Sequence, residues 1–276
     1  VAWNACEKYG YVTHDDYPFG KDDGKLTIPK GSTRREYYLD VNQMTELYHV
    51  FIEKKYPEDW DQDWREHAHE SLGLFLVQYL CNGFNLADAA RLVYDDHYFK
   101  SGKKSFRFIR KKTEDRSDTE IVIPIIEPLQ KILDEIAAKP EKGALVFPQI
   151  YAGETDENKQ KARISQENQN IRKRLGRLVK SMGWEVAPSG TWCRHSFATN
   201  LSHAGGVPKE YIQEAMGHSV MSGTVTDRYI QSYPIAQQMQ FNSKLLKVGD
   251  QVDIMEELQG LTPDQIKALI DMVKKK

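Results

Sequence analysis

Between residues 191 and 229 the chain sets three chemically capable segments in a fixed order, and that order limits what it can fold into. Thr191-Trp192-Cys193-Arg194-His195-Ser196-Phe197-Ala198-Thr199 places an Arg-His pair at the opening of an apolar helix. Met216-Gly217-His218 follows as a turn, and Tyr229 comes shortly after it. Together they form an ordered constellation of a cation, an imidazole and a phenol.

The rest of the chain supplies their framework. Residues 1–9 read as the end of a helix, and residues 10–36 as a linker rich in Gly, Pro and Asp. Helices are expected over 42–55, 72–80 (ending near Asn82-Gly83), 86–93, 128–138, 166–182, 194–204, 209–216 and 224–232, from their apolar periodicity. Residues 106–110 and 120–124 read as two strands, with the polar segment 113–119 as the hairpin between them. Residues 144–148 read as a short extended segment and 149–161 as a polar loop. Near the end, Thr262-Pro263-Asp264-Gln265 has the form of a capping box with Pro at the first helical position. It opens a short amphipathic helix with Ile266, Leu269, Ile270 and Val273 on one stripe. The opening Val-Ala-Trp-Asn, without Met, reads as the start of a fragment.

At 276 residues, 28% of them charged and 40% hydrophobic, the chain fits one large domain or one domain plus a fragment. No run approaches the ~18 apolar residues of a membrane span. The three cysteines, Cys6, Cys81 and Cys193, are odd in number and lack metal-site spacing, which suits a reducing cytoplasm. No Gly-rich phosphate loop, metal-ligand cluster or nucleophile elbow is present, so no cofactor and no metal are expected. The net charge of −2 does not advertise a nucleic-acid partner, but its distribution does more than its sum. Residues 57–70 are acidic. Residues 100–112 hold seven Lys/Arg and no acid, and residues 161–180 hold seven against one Glu. A basic run is most often a solvated face. Two of them flanking a candidate site favour a phosphate backbone.

Taken together, these motifs resemble the catalytic core of the tyrosine recombinases, the phage-integrase family. Its pattern runs roughly His-x-x-Arg-His-x-Phe-Ala-Thr, then Leu-Gly-His-Ser, then a nucleophilic Tyr. The resemblance covers roughly residues 38–240, with a weaker echo of the family's core-binding domain at the start. It implies a mixed α+β fold, mainly α-helical, with a small antiparallel β-hairpin. It implies the end of a core-binding domain and a linker over 1–36, the catalytic domain over 37–240 and a C-terminal helical tail over 241–276.

The resemblance also implies roles. Tyr229 would attack a DNA phosphate, with Tyr233 the alternative. Arg194 would hold the non-bridging oxygens through its planar fork. His218 would hydrogen-bond the phosphate, and His195 is expected to point into the fold. On the hairpin, Arg110-Lys111-Lys112-Thr113 resembles the Arg-x-Lys-Thr pattern of integrases from Bacteroides mobile elements. Lys112 would protonate the leaving 5′ oxygen, with Lys111 the alternative because strand alternation sends it to the other face. Arg110, Lys111, Arg172, Lys173, Arg174 and Arg177 are expected to meet DNA. Two positions depart from the family pattern. Asn85 stands where the family has its first Arg, while Asp88 keeps the acidic position, and Arg91 is an alternative source of the missing charge. Thr191 stands where the family has His, Lys or Tyr.

The partners implied are double-stranded DNA and further copies of the chain, as a dimer or tetramer on paired sites, with accessory DNA-bending proteins. No membrane is implied. The location is the bacterial cytoplasm, at the nucleoid. Three functions share these residues: a site-specific recombinase of a mobile element, a degenerate relative that binds DNA without cutting it, and a relaxing activity of type IB topoisomerase kind.

Overall fold

The structure is a computed structural model that describes residues 2–19, 25–26, 37–109, 120–217 and 232–248. It divides into two compact units, Val1–Glu36 and Tyr37–Lys276. In the first, helix α1 (Ala2–Lys8) leads to a single 3-10 turn at His14–Asp16. Trp3 meets Tyr17 edge-on at 5.3 Å, and Phe19 pairs with Leu26 in an isolated parallel bridge.

The second unit is built around α3 (Gln62–Leu80), whose last ten residues, 71–80, are all buried. Helices α2 (Val41–Glu53), α6 (Glu127–Ile136), α7 (Glu157–Ser181) and α8 (Gly190–His203) pack around it. A helix apolar on every side has to be enclosed, and these four enclose it. Strands β1 (Ser105–Ile109) and β2 (Glu120–Pro124) form a two-stranded antiparallel sheet in which Phe106 faces Ile123 and Phe108 faces Ile121. Phe106, Ile121 and Ile123 turn into the core. The architecture is therefore mainly helical with a small antiparallel sheet.

The chemistry of the ends sets the element boundaries. Asp40 and Gln43 form a reciprocal capping box at the start of α2, the Gln43 N–H donating to Asp40 Oδ1 at 2.9 Å and the Asp40 N–H to Gln43 Oε1 at 3.0 Å. Helix α3 starts ten residues before the apolar run at 72–80, because Asp61 inside the acidic stretch accepts the Trp64 N–H at 2.7 Å and caps it. In the same way Asp156 accepts from Lys159 at 3.0 Å and starts α7 inside the expected loop 149–161. The helix expected over 86–93 is cut to α4 (Leu86–Ala89). Val93 instead pairs with Leu145, with Val146 N–H donating to Leu92 O at 2.8 Å and Tyr94 N–H to Ala144 O at 2.9 Å. Helix α8 begins at Gly190, so Thr191 sits in its first turn. Helices α5 (Asp96–Lys100), α9 (Lys209–Ala215) and α10 (Ile235–Asn242) complete the described unit; the short α5 and α10 had no expectation in the sequence. The expected hairpin at 113–119, the helix over 224–232 and the amphipathic stretch Ile266 to Val273 lie outside the described residues.

His195 corrects an expectation: it is exposed. The buried positions of α8 are Cys193, Ser196, Phe197, Asn200 and Leu201, spaced three or four apart, and residue 195 falls between them on the outside.

Candidate active site

Arg194 stands on the first half of α8 and is part-buried. One guanidinium nitrogen, Nη1, donates to the carbonyl of Gly83 at 3.3 Å, and the other, Nη2, to the carbonyl of Met216 at 3.0 Å. Gly83 lies in the turn between α3 and α4, two residues before Asn85. Met216 is the last residue of α9's cap, two residues before His218. Three segments far apart in sequence are thereby brought to one guanidinium. The cation also sits at the carbonyl end of α9, where the helix dipole favours it.

The turn that carries Asn85 is held rigidly. Asn82, buried with φ +57°, donates from Nδ2 to the Val122 carbonyl of β2 at 3.0 Å. Its Oδ1 accepts from Asn242 Nδ2 at 2.9 Å, and Asn242 Oδ1 accepts from the Tyr211 hydroxyl at 2.7 Å. Burial pushes the Tyr211 phenol above its ordinary pKa, so it stays a donor. A second buried chain ties α3 to α8 and to the segments before α2 and after α10: the Asn200 amide donates to the Tyr79 hydroxyl at 2.9 Å and to Leu39 O at 3.1 Å, and Tyr79 donates to Leu245 O at 2.8 Å. Fully satisfied buried networks of this kind fix one arrangement, since breaking a link leaves a buried polar atom unpaired.

Gly83 is the close-approach point. With φ +65°, a Cβ there would lie 2.9 Å from Arg194 Cα and 3.1 Å from Phe197 Cβ. Gly83→Ala is expected to cost about 1–3 kcal/mol of stability, from left-handed backbone and the clash together. It should also displace Arg194. Chemical denaturation checks the first effect and a strand-cleavage assay the second. Unchanged stability would show that the turn can move away from α8.

Asn85 and Thr191 share a pocket of about 390 Å³. Asn85, Leu86 and Ala87 form one wall, Ser189, Gly190 and Thr191 the second, and Ser165, Asn168, Gln169 and Arg172 of α7 the third, with Gln78 below. The Asn85 N–H donates to the Asp88 carboxylate at 3.2 Å, which holds the start of α4. Thr191 is exposed, with its hydroxyl 3.0 Å from that of Ser189. Arg91 does not line this pocket. It lies by Tyr151, where its charge partly offsets the burial that raises that phenol's pKa.

The basic residues of α7 split between two faces. Arg174 donates to Ser71 Oγ at 3.0 Å and pairs with Glu167 at 3.6 Å. Arg177 lies over both Trp60 and Trp64, 4.8 Å from each ring centroid, and Lys173 over Trp64 at 5.7 Å. Arg172 alone of the four lines the pocket.

Tyr233 is part-buried, edge-on to Tyr211 at 5.5 Å and to Phe241 at 5.8 Å. Its phenol pKa is raised by burial and then by the carboxylates of Glu210 and Glu214. The Cys193 thiol, fully buried and donating to Phe75 O at 3.3 Å, has its pKa pushed well up by burial and is inert. Tyr229, His218, Lys112, Lys111 and Arg110 lie outside the described residues. Among the described residues no group of three or more His, Cys, Asp or Glu could hold a metal ion, and no helix is long and apolar enough to cross a membrane. The sequence pointed to Arg194, Asn85 and Thr191. It did not point to the Gly83 approach or the Asn82–Asn242–Tyr211 chain, for which Asn82-Gly83 showed only a helix end.

The model of the phage integrase family matches residues 38–234. The chain belongs to the phage integrase family. That family acts on DNA as site-specific recombinases. Among solved structures, this integrase-family chain is similar to the integrase from mycobacterium phage Brujita, with 16% identity, 90% of this chain and 71% of that chain covered and a TM-score of 0.44. It is similar also to XerA recombinase, at 13% identity, covering 86% of this chain and 67% of that one, with a TM-score of 0.41. No curated protein matches it.

Proposed function

We propose that this chain is the catalytic part of a site-specific DNA recombinase that integrates or excises a bacterial mobile element, working in the cytoplasm at the nucleoid. The observation that carries the reading is Arg194, fixed by carbonyls of the Asn85 turn and of the segment leading into His218. Those are the places where the family pattern puts its phosphate-binding groups.

In the proposed reaction the Tyr229 phenol gives up its proton to solvent as its oxygen attacks a DNA phosphorus. The new Tyr–O–P bond forms as the P–O5′ bond breaks, and the leaving 5′ oxygen takes a proton from Lys112. The phosphate stays on the 3′ side, bound to Tyr229. A free 5′ hydroxyl of the partner strand then attacks the phosphotyrosine and releases the phenol. One phosphodiester is exchanged for another, so no ATP is required. Arg194 and His218 bind the non-bridging oxygens as charge builds there, which in such sites is worth about 3 kcal/mol per donor. Arg110 and Lys111 on the hairpin meet flanking phosphates. Strand exchange needs paired sites, hence a dimer or tetramer on DNA with bending proteins assisting. The Ile266 to Val273 stripe is a candidate contact between copies.

A second reading is a relative that binds DNA without cutting it. Its support is the loss of charge at Asn85 and Thr191. A nicked duplex carrying the element's crossover site decides between the two, because the cleaved strand loses its partner and the covalent adduct accumulates. A protein–DNA adduct mapped to Tyr229 is expected. Intact binding without any adduct would establish the binding-only reading.

A further inference from the structure

We propose that Arg172 is a phosphate-binding residue of the recombination site, supplying from α7 the positive charge that Asn85 lacks. This rests on the recombinase reading.

Ser165, Asn168, Gln169 and Arg172 recur at three- and four-residue intervals, so they form one face of α7, and that face lines the pocket holding Asn85 and Thr191. The other residues of the pocket wall offer amides, hydroxyls or apolar surface; Arg172 is its charged member. Arg174, Arg177 and Lys173 have intramolecular partners on the face opposite Ser71, Trp60 and Trp64. Arg172 is exposed, and among the described residues it forms no ion pair. Its guanidinium is thus available to an incoming anion.

The pocket also adjoins the segments that hold Arg194. Thr191 and Arg194 are three residues apart on α8 and share a face, and the Gly83 carbonyl that holds Arg194 is two residues from Asn85. The pocket's second wall is the first turn of α8, a helix of 14 residues whose amino-terminal N–H groups and dipole favour a negative group. At Gly190 a Cβ would lie 2.8 Å from Gln78 Oε1 and 3.3 Å from Asn168 Oδ1, so the side-chain-free position keeps α8 close to α3 and α7. A phosphodiester seated there would meet a guanidinium from α7, an amide from Asn85 and a hydroxyl from Thr191. A fork-shaped cation brought from a third helix takes the place of one on the α3–α4 turn.

The test uses the whole chain on nicked duplexes with a phosphodiester or an uncharged methylphosphonate at the scissile position. Arg172→Ala is expected to slow adduct formation about 10²-fold on the phosphodiester, as loss of one preorganised donor does. Arg172→Lys should recover part of the loss. On the methylphosphonate the same Ala change should have little effect, because the charge it neutralises is absent. Thermal unfolding should be unchanged, since Arg172 is exposed. An equal loss on both substrates would mean a structural role and overturn the proposal. So would an unchanged rate on the phosphodiester while the wild type forms adduct, and the recombinase reading would then stand. Absence of adduct from the wild type would remove the recombinase reading instead. In that case the salt dependence of DNA affinity decides the phosphate contact: Arg172→Ala should flatten the log–log slope by about 0.9, and an unchanged slope overturns it.

Discussion

Replacing Tyr229 with Phe is expected to abolish covalent adduct and strand exchange, while DNA affinity stays within about threefold. The change removes one oxygen and leaves the ring, so the atom lost is the one that forms the bond to phosphorus. No other group in the proposed reaction can take over the phosphoryl group, so the loss should reach the detection limit. Affinity is carried mostly by cations meeting phosphates, and Phe removes none of them. Tyr233→Phe is the matched control. The Tyr233 ring packs on Tyr211 and Phe241, and burial with Glu210 and Glu214 nearby raises its phenol pKa. An attacking phenol needs the reverse, a neighbourhood that favours the phenolate. Tyr233→Phe should therefore retain cleavage. Measured on the nicked duplex, cleavage that survives Tyr229→Phe and disappears with Tyr233→Phe would reassign the nucleophile.

What the sequence revealed of this molecule followed from local signals. The apolar run at 72–80 and the strand patterns at 106–110 and 120–124 marked the core helix and, to within one residue, the sheet, because burial on all sides or on one face leaves a direct trace in composition. Boundaries set by distant partners left no such trace. The first turns of α3 are polar, and their place in the fold comes from Trp60 and Trp64 beneath Lys173 and Arg177, more than a hundred residues on. Helix α4 stops at Ala89 because the backbone at 92–94 finds partners at 144–146. The site divides in the same way. Arg194, Asn85 and Thr191 stood out as candidates because a family pattern names their positions. The direction of His195 was misjudged: a single polar residue in an apolar helix start does not reveal the phase of the buried stripe, which Cys193, Ser196, Phe197 and Asn200 define. The density of charge on α7 was visible, but its partition between the tryptophans and the pocket depends on which helices pack on either side.

Arg194 carries the other large expected effect. Arg194→Ala should lower the rate of adduct formation by about 10²–10³, the loss seen when one preorganised donor to a developing oxyanion is removed. Part of that change would be structural. The side chain bridges Gly83 and Met216, and hydrogen bonds made by a charged group contribute about 1.5–3 kcal/mol. Arg194→Lys separates the two contributions. A lysine keeps the charge at the carboxyl end of α9 but has a single nitrogen, so it cannot bridge both carbonyls and also present a planar fork to phosphate. The expected result is stability lowered by no more than one such hydrogen bond, affinity within a few-fold, and a cleavage rate still at least tenfold down. Denaturant unfolding, salt-matched binding and single-turnover cleavage give the three readings. If the Lys variant cleaves at the wild-type rate, Arg194 acts as a simple point charge and the two carbonyl contacts are incidental to the chemistry. If it loses stability and cleavage in proportion, Arg194 is a structural tie between the Gly83 turn and α9, and the phosphate-binding role has to lie with another cation of the site.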